Sequence, residues 1–198
     1  MFISFEGGEG AGKTTLIQKI YHHFTYLNKP VFLTRAPGGT AAGDLIRNLL
    51  LHEDKKGIFS RTELFLFLAD RAQHVEEVIL PALKEKKIVL CDRFNDSTIA
   101  YQGGARGFGL EWVQKLCLFA TQDLQPDCTF YLDIDPQKGL SRVKRAKDRI
   151  EKENLSFHQK IRSTYLAIAK MEPKRFHILD GEKSPDEVYS QALQFLTP

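Results

Sequence analysis

Eight residues near the start of the chain, Gly7-Gly8-Glu9-Gly10-Ala11-Gly12-Lys13-Thr14, match the pattern G-x-x-x-x-G-K-[ST]. They follow an apolar run over 2–6 and open a segment whose apolar residues, Leu16, Ile17, Ile20, Phe24 and Leu27, lie along one side of a helix predicted over 13–27. Strand, glycine loop and helix in that order leave little choice of fold. Such a loop can turn backbone N–H groups inward around phosphate oxygens, and the helix N-terminus behind it adds partial positive charge. Lys13 is then placed to reach the β- and γ-phosphates of a nucleotide, and the Thr14 hydroxyl to bind Mg²⁺. The bland alternative, a glycine turn with no ligand, needs the Lys-Thr pair and both flanking elements to coincide by chance.

The rest of the chain repeats the alternation. Apolar runs over 30–35, 88–92, 128–133 and 176–179 read as further strands, with long stretches of helical period between them. Near-continuous apolarity implies strands covered on both faces, so the expected class is α/β: a P-loop NTPase-type parallel sheet flanked by helices on both faces. Two S-x-x-E capping boxes are expected, Ser60 with Glu63 and Ser184 with Glu187, the second with Pro185 at the first helical position. There is no repeat, low-complexity stretch or linker, and the 42% hydrophobic content supplies one sizeable core, so residues 1–198 read as a single domain.

Several classes are disfavoured by what is missing. A net charge of +3, unclustered, gives no footprint for nucleic acid or a membrane surface. No apolar run approaches the roughly 20 residues a span requires, and MFISFEGG has no signal-peptide pattern. Cys91, Cys117 and Cys128 are an odd number at wide spacings, which fits neither a disulfide framework nor a zinc site, so they are expected to be reduced and the protein cytoplasmic. No H-x-x-x-H spacing supports a metal site built on histidine.

A second chemical signal is Asp92-Arg93 at the carboxyl end of the 88–92 run. Beside a phosphate loop, such an aspartate can hold Mg²⁺, directly or through water, and the arginine can bind phosphate oxygens. Taken alone, a strand-end salt bridge is an equal reading.

With these motifs in place, the chain resembles the thymidylate kinases along its length. The matching stretches are GGEGAGKTT, TRAPGGT at 34–40, LIRNLLL at 45–51, ELFLFLADR at 63–71, CDRFNDSTIAYQGG at 91–104 and DRIEKE at 148–153. The resemblance implies a homodimeric nucleoside-monophosphate kinase with a short lid, transferring the γ-phosphoryl group of ATP to dTMP. It assigns ATP to Gly7, Gly8, Glu9, Gly10, Ala11, Gly12, Lys13, Thr14 and Thr15. It assigns dTMP to Glu9, Arg47, Phe67, Arg71, Arg93, Thr98, Tyr101 and Gln102, and Mg²⁺ to Thr14 and Asp92. Within that set Arg47 and Arg93 serve the acceptor phosphate, Phe67 stacks on thymine, Arg71 reads the base edge, and Tyr101 crowds the sugar 2′ position. Phe67 and Arg71, four apart, share a helical face, although the leucines around Phe67 equally fit a core position.

Two departures bear on the chemistry. Ala36 stands before Pro-Gly-Gly, where the family commonly carries an acidic residue. The lid, about 141–152, is slightly shorter than in relatives. Because the phosphate loop holds no arginine, transition-state charge is expected to be met by Lys13 and Arg93 together with a lid cation, Arg145 or Arg149. From charge alone this segment equally reads as a solvated helix face. Two functional alternatives remain at this point: a kinase for adenylate, guanylate or uridylate, and a nucleotide-dependent switch. Against the switch, Asn28-Lys29-Pro30 is not an N-K-x-D guanine-reading motif.

Overall fold

In a computed structural model, which describes residues 1–52 and 57–196, all five apolar runs are strands of one parallel sheet. These are β1 (Phe2–Gly7), β2 (Val31–Arg35), β3 (Ile88–Asp92), β4 (Cys128–Asp133) and β5 (Phe176–Asp180), in the order β2-β3-β1-β4-β5. β1 is central, with Phe5 opposite Asp92 of β3 on one side and Phe130 of β4 on the other. The chain leaves β1 for the β2 edge, returns through β3 and crosses to β4, so the topological switch lies at the carboxyl end of β1. The phosphate loop occupies that place.

Alternation along β1 divides the molecule. Ile3 and Phe5 pack with α1 (Lys13–Tyr26) and α9 (Pro185–Leu193), against Phe130, Leu132 and Leu179 of the neighbouring strands. Ser4 and Glu6 point the other way, buried under α5 (Asn95–Thr98), α6 (Leu110–Ala120) and α8 (Leu155–Met171). Each finds polar partners there. Ser4 Oγ bonds Thr129 Oγ1 at 2.8 Å, while Glu6 accepts from Phe94 N–H at 2.7 Å and from the Tyr165 hydroxyl at 2.9 Å. Nearby, Arg175 grips the buried Asp96 carboxylate with two bonds of 2.8 and 2.9 Å.

The last capping box forms as expected, with both reciprocal bonds between Ser184 and Glu187. The first does not. α3 (Ser60–His74) starts after Phe59, with no side-chain cap, because Glu63 is buried and its oxygens are taken by Gln102, Arg106 and Arg149. α3 runs on through a π-helical turn, Val75–Ile79, into α4 (Leu80–Lys84), where Pro81 has no N–H to give. A second π segment, Ile99–Ala105, continues α5 and carries Tyr101 and Gln102. At Gly104 it runs so close to α8 that a Cβ would overlap the side chain of Thr164. α2 (Ala41–His52) packs beside α3, and α7 (Pro136–Arg142) follows β4. Residues 143–154, expected as lid or helix face, are irregular.

Candidate active site

Above the carboxyl ends of β1 and β3 lies an open cleft of about 650 Å³, in the size range of a nucleotide or drug-sized ligand site. One wall is the phosphate loop. Gly12 adopts a left-handed conformation (φ 96°) and starts α1, and the first turn of α1 carries no acidic side chain to occupy its N–H groups. Lys13 is buried, its ammonium donating to the carbonyls of Gly7 at 3.1 Å and Gly8 at 3.0 Å. Burial, and then the charge of Arg93, push its pKa down.

Arg93 sits at φ +71°, which turns its guanidinium back toward that loop. It donates to Glu9 at 2.6 Å and to Ser97 Oγ at 3.2 Å, with the Tyr101 ring 5.3 Å away. Burial raises the Glu9 carboxyl, but Arg93 and Lys13 outweigh it and hold the pKa at about 2. Arg47 lines the cleft nearby, lowered by burial and then by Arg35. Lys13, Arg35, Arg47 and Arg93 thus crowd one opening, and two of them, Lys13 and Arg47, are lowered in part by a neighbouring positive charge. An anion entering here is met by unbalanced positive charge in a partly desolvated space.

The far end differs in character. Phe67 and Arg71 of α3 both line the cleft, Phe67 at 8% and Arg71 at 1% exposure. Phe67 belongs at once to the core and to the site, because its ring borders both. Arg71 donates through Nη2 to Phe94 carbonyl at 3.1 Å, while Nε and Nη1 are buried without a hydrogen-bond partner. Unpaired buried guanidinium nitrogens are costly unless a ligand oxygen completes them. Thr98, Tyr101 and Gln102 complete this end.

Of the other expected residues, Glu9, Gly10, Ala11, Gly12, Thr14, Asp92 and Arg145 line the cleft. Gly7, Gly8 and Thr15 do not. Gly7 and Gly8 act through the carbonyls that hold Lys13, and Thr15 is exposed on α1. Arg149, the other expected lid cation, does not line the cleft either. Its guanidinium donates to Glu63 at 2.6 Å and to Leu50 carbonyl at 2.8 Å, tying the lid to α3 and α2. Arg145 is paired with Glu151 at 2.6 and 2.8 Å, and Arg142 donates to Gly181 carbonyl at 3.1 Å. Asp92 Oδ1 is buried without a hydrogen-bond partner. With the Thr14 hydroxyl it offers hard oxygen donors that fit Mg²⁺, which takes one or two protein ligands and fills its shell from phosphate and water. No cluster of three or more His, Cys, Asp or Glu side chains able to hold a metal exists among the described residues.

Sequence reasoning missed Glu63, Arg106 and Glu6, whose partners lie roughly 40 to 160 residues away in sequence. Ala36 is buried in the cleft floor, where Arg47 holds Pro37 carbonyl at 2.8 Å and Asp70 accepts from Gly38 N–H at 2.7 Å. Those two bonds hold the backbone on either side of Pro37 without a polar side chain at position 36.

Residues 5–192 match the family described as thymidylate kinase. The chain is 48% identical to a thymidylate kinase of Acinetobacter baumannii (strain AYE), over 99% of this chain and 100% of that protein. It is 46% identical to one from Protochlamydia amoebophila (98% and 91%) and 49% identical to one from Thermosipho melanesiensis (96% and 94%). Its fold is similar to the crystal structure of thymidylate kinase from Ehrlichia chaffeensis, with a TM-score of 0.82 and 35% identity over 100% of this chain and 98% of that one.

Gly10 has φ +67°, and a Cβ there would overlap the carbonyl of Gly139 in α7. Gly10→Ala should displace the loop and weaken ATP binding by about tenfold or more, the equivalent of one charge-assisted hydrogen bond, with an unchanged circular-dichroism spectrum. Titration calorimetry showing wild-type ATP affinity would mean the loop does not need this conformation.

Proposed function

The chain belongs to the thymidylate kinase family, and from that membership we propose that its cleft transfers the γ-phosphoryl group of ATP to dTMP, giving ADP and dTDP. The observation that carries this reading is the pairing of two unlike ends in one cleft. A loop built for a triphosphate stands at one, and at the other an aromatic ring lies beside a buried arginine with two unsatisfied donors. A thymine ring offers what that second end lacks: a flat face for Phe67 and a carbonyl oxygen for Arg71.

The acceptor is a phosphate monoester with a second pKa near 6, so at pH 7 its oxygen is mostly deprotonated and no general base is required. That oxygen bonds to the γ-phosphorus as the bond to the β–γ bridging oxygen breaks, and ADP departs with the electron pair. Arg47 and Arg93 hold the acceptor phosphate in line, while Lys13 exchanges its loop carbonyls for phosphoryl oxygens as charge spreads over them. Thr14 and Asp92 would hold Mg²⁺, which neutralises charge on the β- and γ-phosphates when bound. In this reading Tyr101 crowds the sugar at C2′, Thr98 contacts the base and Arg145 is the lid cation for the transferring group; all three line the cleft.

The reading extends to assembly and location. Leu45 and Leu49 of α2, Phe65 of α3, and Trp112 and Phe119 of α6 are exposed on neighbouring helices, Phe119 at 87%. Such a patch on three adjacent elements supports a homodimer in which a second copy covers it. No described helix is long and apolar enough to cross a membrane, and the three buried free thiols support a reducing compartment, the cytoplasm.

Coupled ADP release with dTMP, dUMP, UMP, CMP, AMP and GMP offered in turn tests the activity: dTMP should give the highest kcat/KM, and preference for a purine or ribonucleotide would overturn the reading. Phe67→Ala should raise KM for dTMP several-fold, since base stacking is worth about 1–3 kcal/mol, and leave KM for ATP near wild type. A lowered Tm with unaltered dTMP affinity would instead make Phe67 a core residue only. Sedimentation equilibrium should report two chains per particle, and Phe119→Asp should shift it toward one; a wild-type monomer at micromolar concentration would remove the dimer.

A further inference from the structure

Glu63 is 1% exposed and collects three partners from distant parts of the chain. Arg106 donates to both of its oxygens at 3.0 and 3.1 Å, Arg149 to Oε2 at 2.6 Å, and Gln102 through Nε2 to Oε1 at 2.9 Å. Gln102 is itself 1% exposed, yet it lines the cleft at the end held by Phe67 and Arg71. Its contact with Glu63 is made by Nε2, not by Oε1.

Burial pushes the Glu63 carboxyl up, but the hydrogen bonds from Arg106, Gln102 and Arg149 more than reverse this, and its pKa ends below the ordinary value. An ionised carboxylate only accepts. A side-chain amide in contact with it must therefore present nitrogen, and the Gln102 carbonyl oxygen must face away from Glu63. Orientation of a glutamine amide is usually ambiguous, but here the partner's chemistry decides it.

We propose that Glu63 is a positioning residue that locks the Gln102 amide with its carbonyl turned to the acceptor base, so that the site accepts a pyrimidine carrying N3–H and rejects one carrying a bare N3. This rests on the reading of the cleft as a dTMP site and adds the device that chooses the base class. Thymine and uracil present a donor at N3 and an acceptor at C4, which match a glutamine carbonyl and the free Arg71 nitrogens. Cytosine presents the reverse at both places, so it meets two mismatches. Arg106, on the same segment as Gln102, and Arg149 of the lid then act together, keeping Glu63 charged and stationary.

The test compares dUMP with dCMP, which share sugar and phosphate and differ only in the base edge. In Glu63→Gln the replacing amide carries donors of its own, so Gln102 is free to turn over. The dUMP-to-dCMP ratio of kcat/KM should fall by about tenfold or more, the scale of one base-edge contact, chiefly through a raised KM for dUMP, while KM for ATP stays near wild type. A lowered Tm with an unchanged ratio would make Glu63 a structural anchor and overturn the proposal. Should the variant fail to fold, a crystal structure of the wild-type protein with dTMP decides the matter. Gln102 should remain on Glu63, with its other amide atom about 3 Å from N3. Gln102 swung off Glu63, or turned away from the base, would overturn the proposal. Wild-type protein that does not phosphorylate dTMP would strike the assigned substrate instead, an outcome distinct from both.

Discussion

Arg93 brings its guanidinium into the cleft because its backbone is turned to φ +71°, a left-handed conformation that costs a non-glycine residue about 1–3 kcal/mol. What offsets the cost is a set of contacts on four elements. Its N–H bonds the carbonyl of Phe5 at 3.0 Å, extending the β1–β3 ladder one residue past the strand end. Its guanidinium ties Glu9 of the phosphate loop to Ser97 of α5 and lies against Tyr101 on the π segment. The loop, the acceptor wall and the sheet thus share one charge, and the distance between donor and acceptor subsites follows from it. A relaxed backbone at position 93 would aim the side chain elsewhere and leave Glu9 beside Lys13 alone.

Beneath this contact the molecule buries several charged and polar side chains. Glu6 is raised to about 7 by burial and by Asp96, while Asp96 is held by Arg175. Replaced by apolar side chains, such pairs often lose no stability, so stability alone does not explain them. Their geometry does. Glu6 accepts the N–H of Phe94, the residue after Arg93, and the same carboxylate takes the hydroxyls of Ser97 and Tyr165. A hydrogen-bonded carboxylate fixes direction as an apolar contact cannot, so the segment carrying Arg93, Ser97 and Thr98 is set from below.

How far the sequence foretold this depends on how local each signal is. The phosphate loop was legible because its chemistry, its glycines and its flanking elements occupy one continuous stretch, and β3 ending at Asp92 was legible for the same reason. Glu63 was misread as a cap. Three residues after a serine it satisfies the local pattern, and nothing nearby reveals Arg106 or Arg149 competing for its oxygens. The π segment was invisible too: Ile99–Ala105 widens where Gly104 lies against Thr164 of α8, a contact made across the chain that no local pattern announces. Phe67 showed a different limit: pattern opposed core to site, and a side chain on the cleft wall belongs to both.

Charge in the lid illustrates the same point in energetic terms. Arg145 and Arg149 are alike in sequence, each an arginine in a basic run, and each pairs with a glutamate that is 1% exposed. They differ in their own solvation, Arg145 being 62% exposed and Arg149 15%. Moving Arg145 onto a phosphate costs the exposed guanidinium little desolvation, but it leaves the buried Glu151 with the N–H of Asp148 at 2.9 Å. Moving Arg149 would release Leu50 carbonyl and leave Glu63 to Arg106 and Gln102, and the guanidinium itself would have to leave a mostly buried place. Exposure and the number of partners left behind, not sequence position, therefore distinguish these two lid arginines.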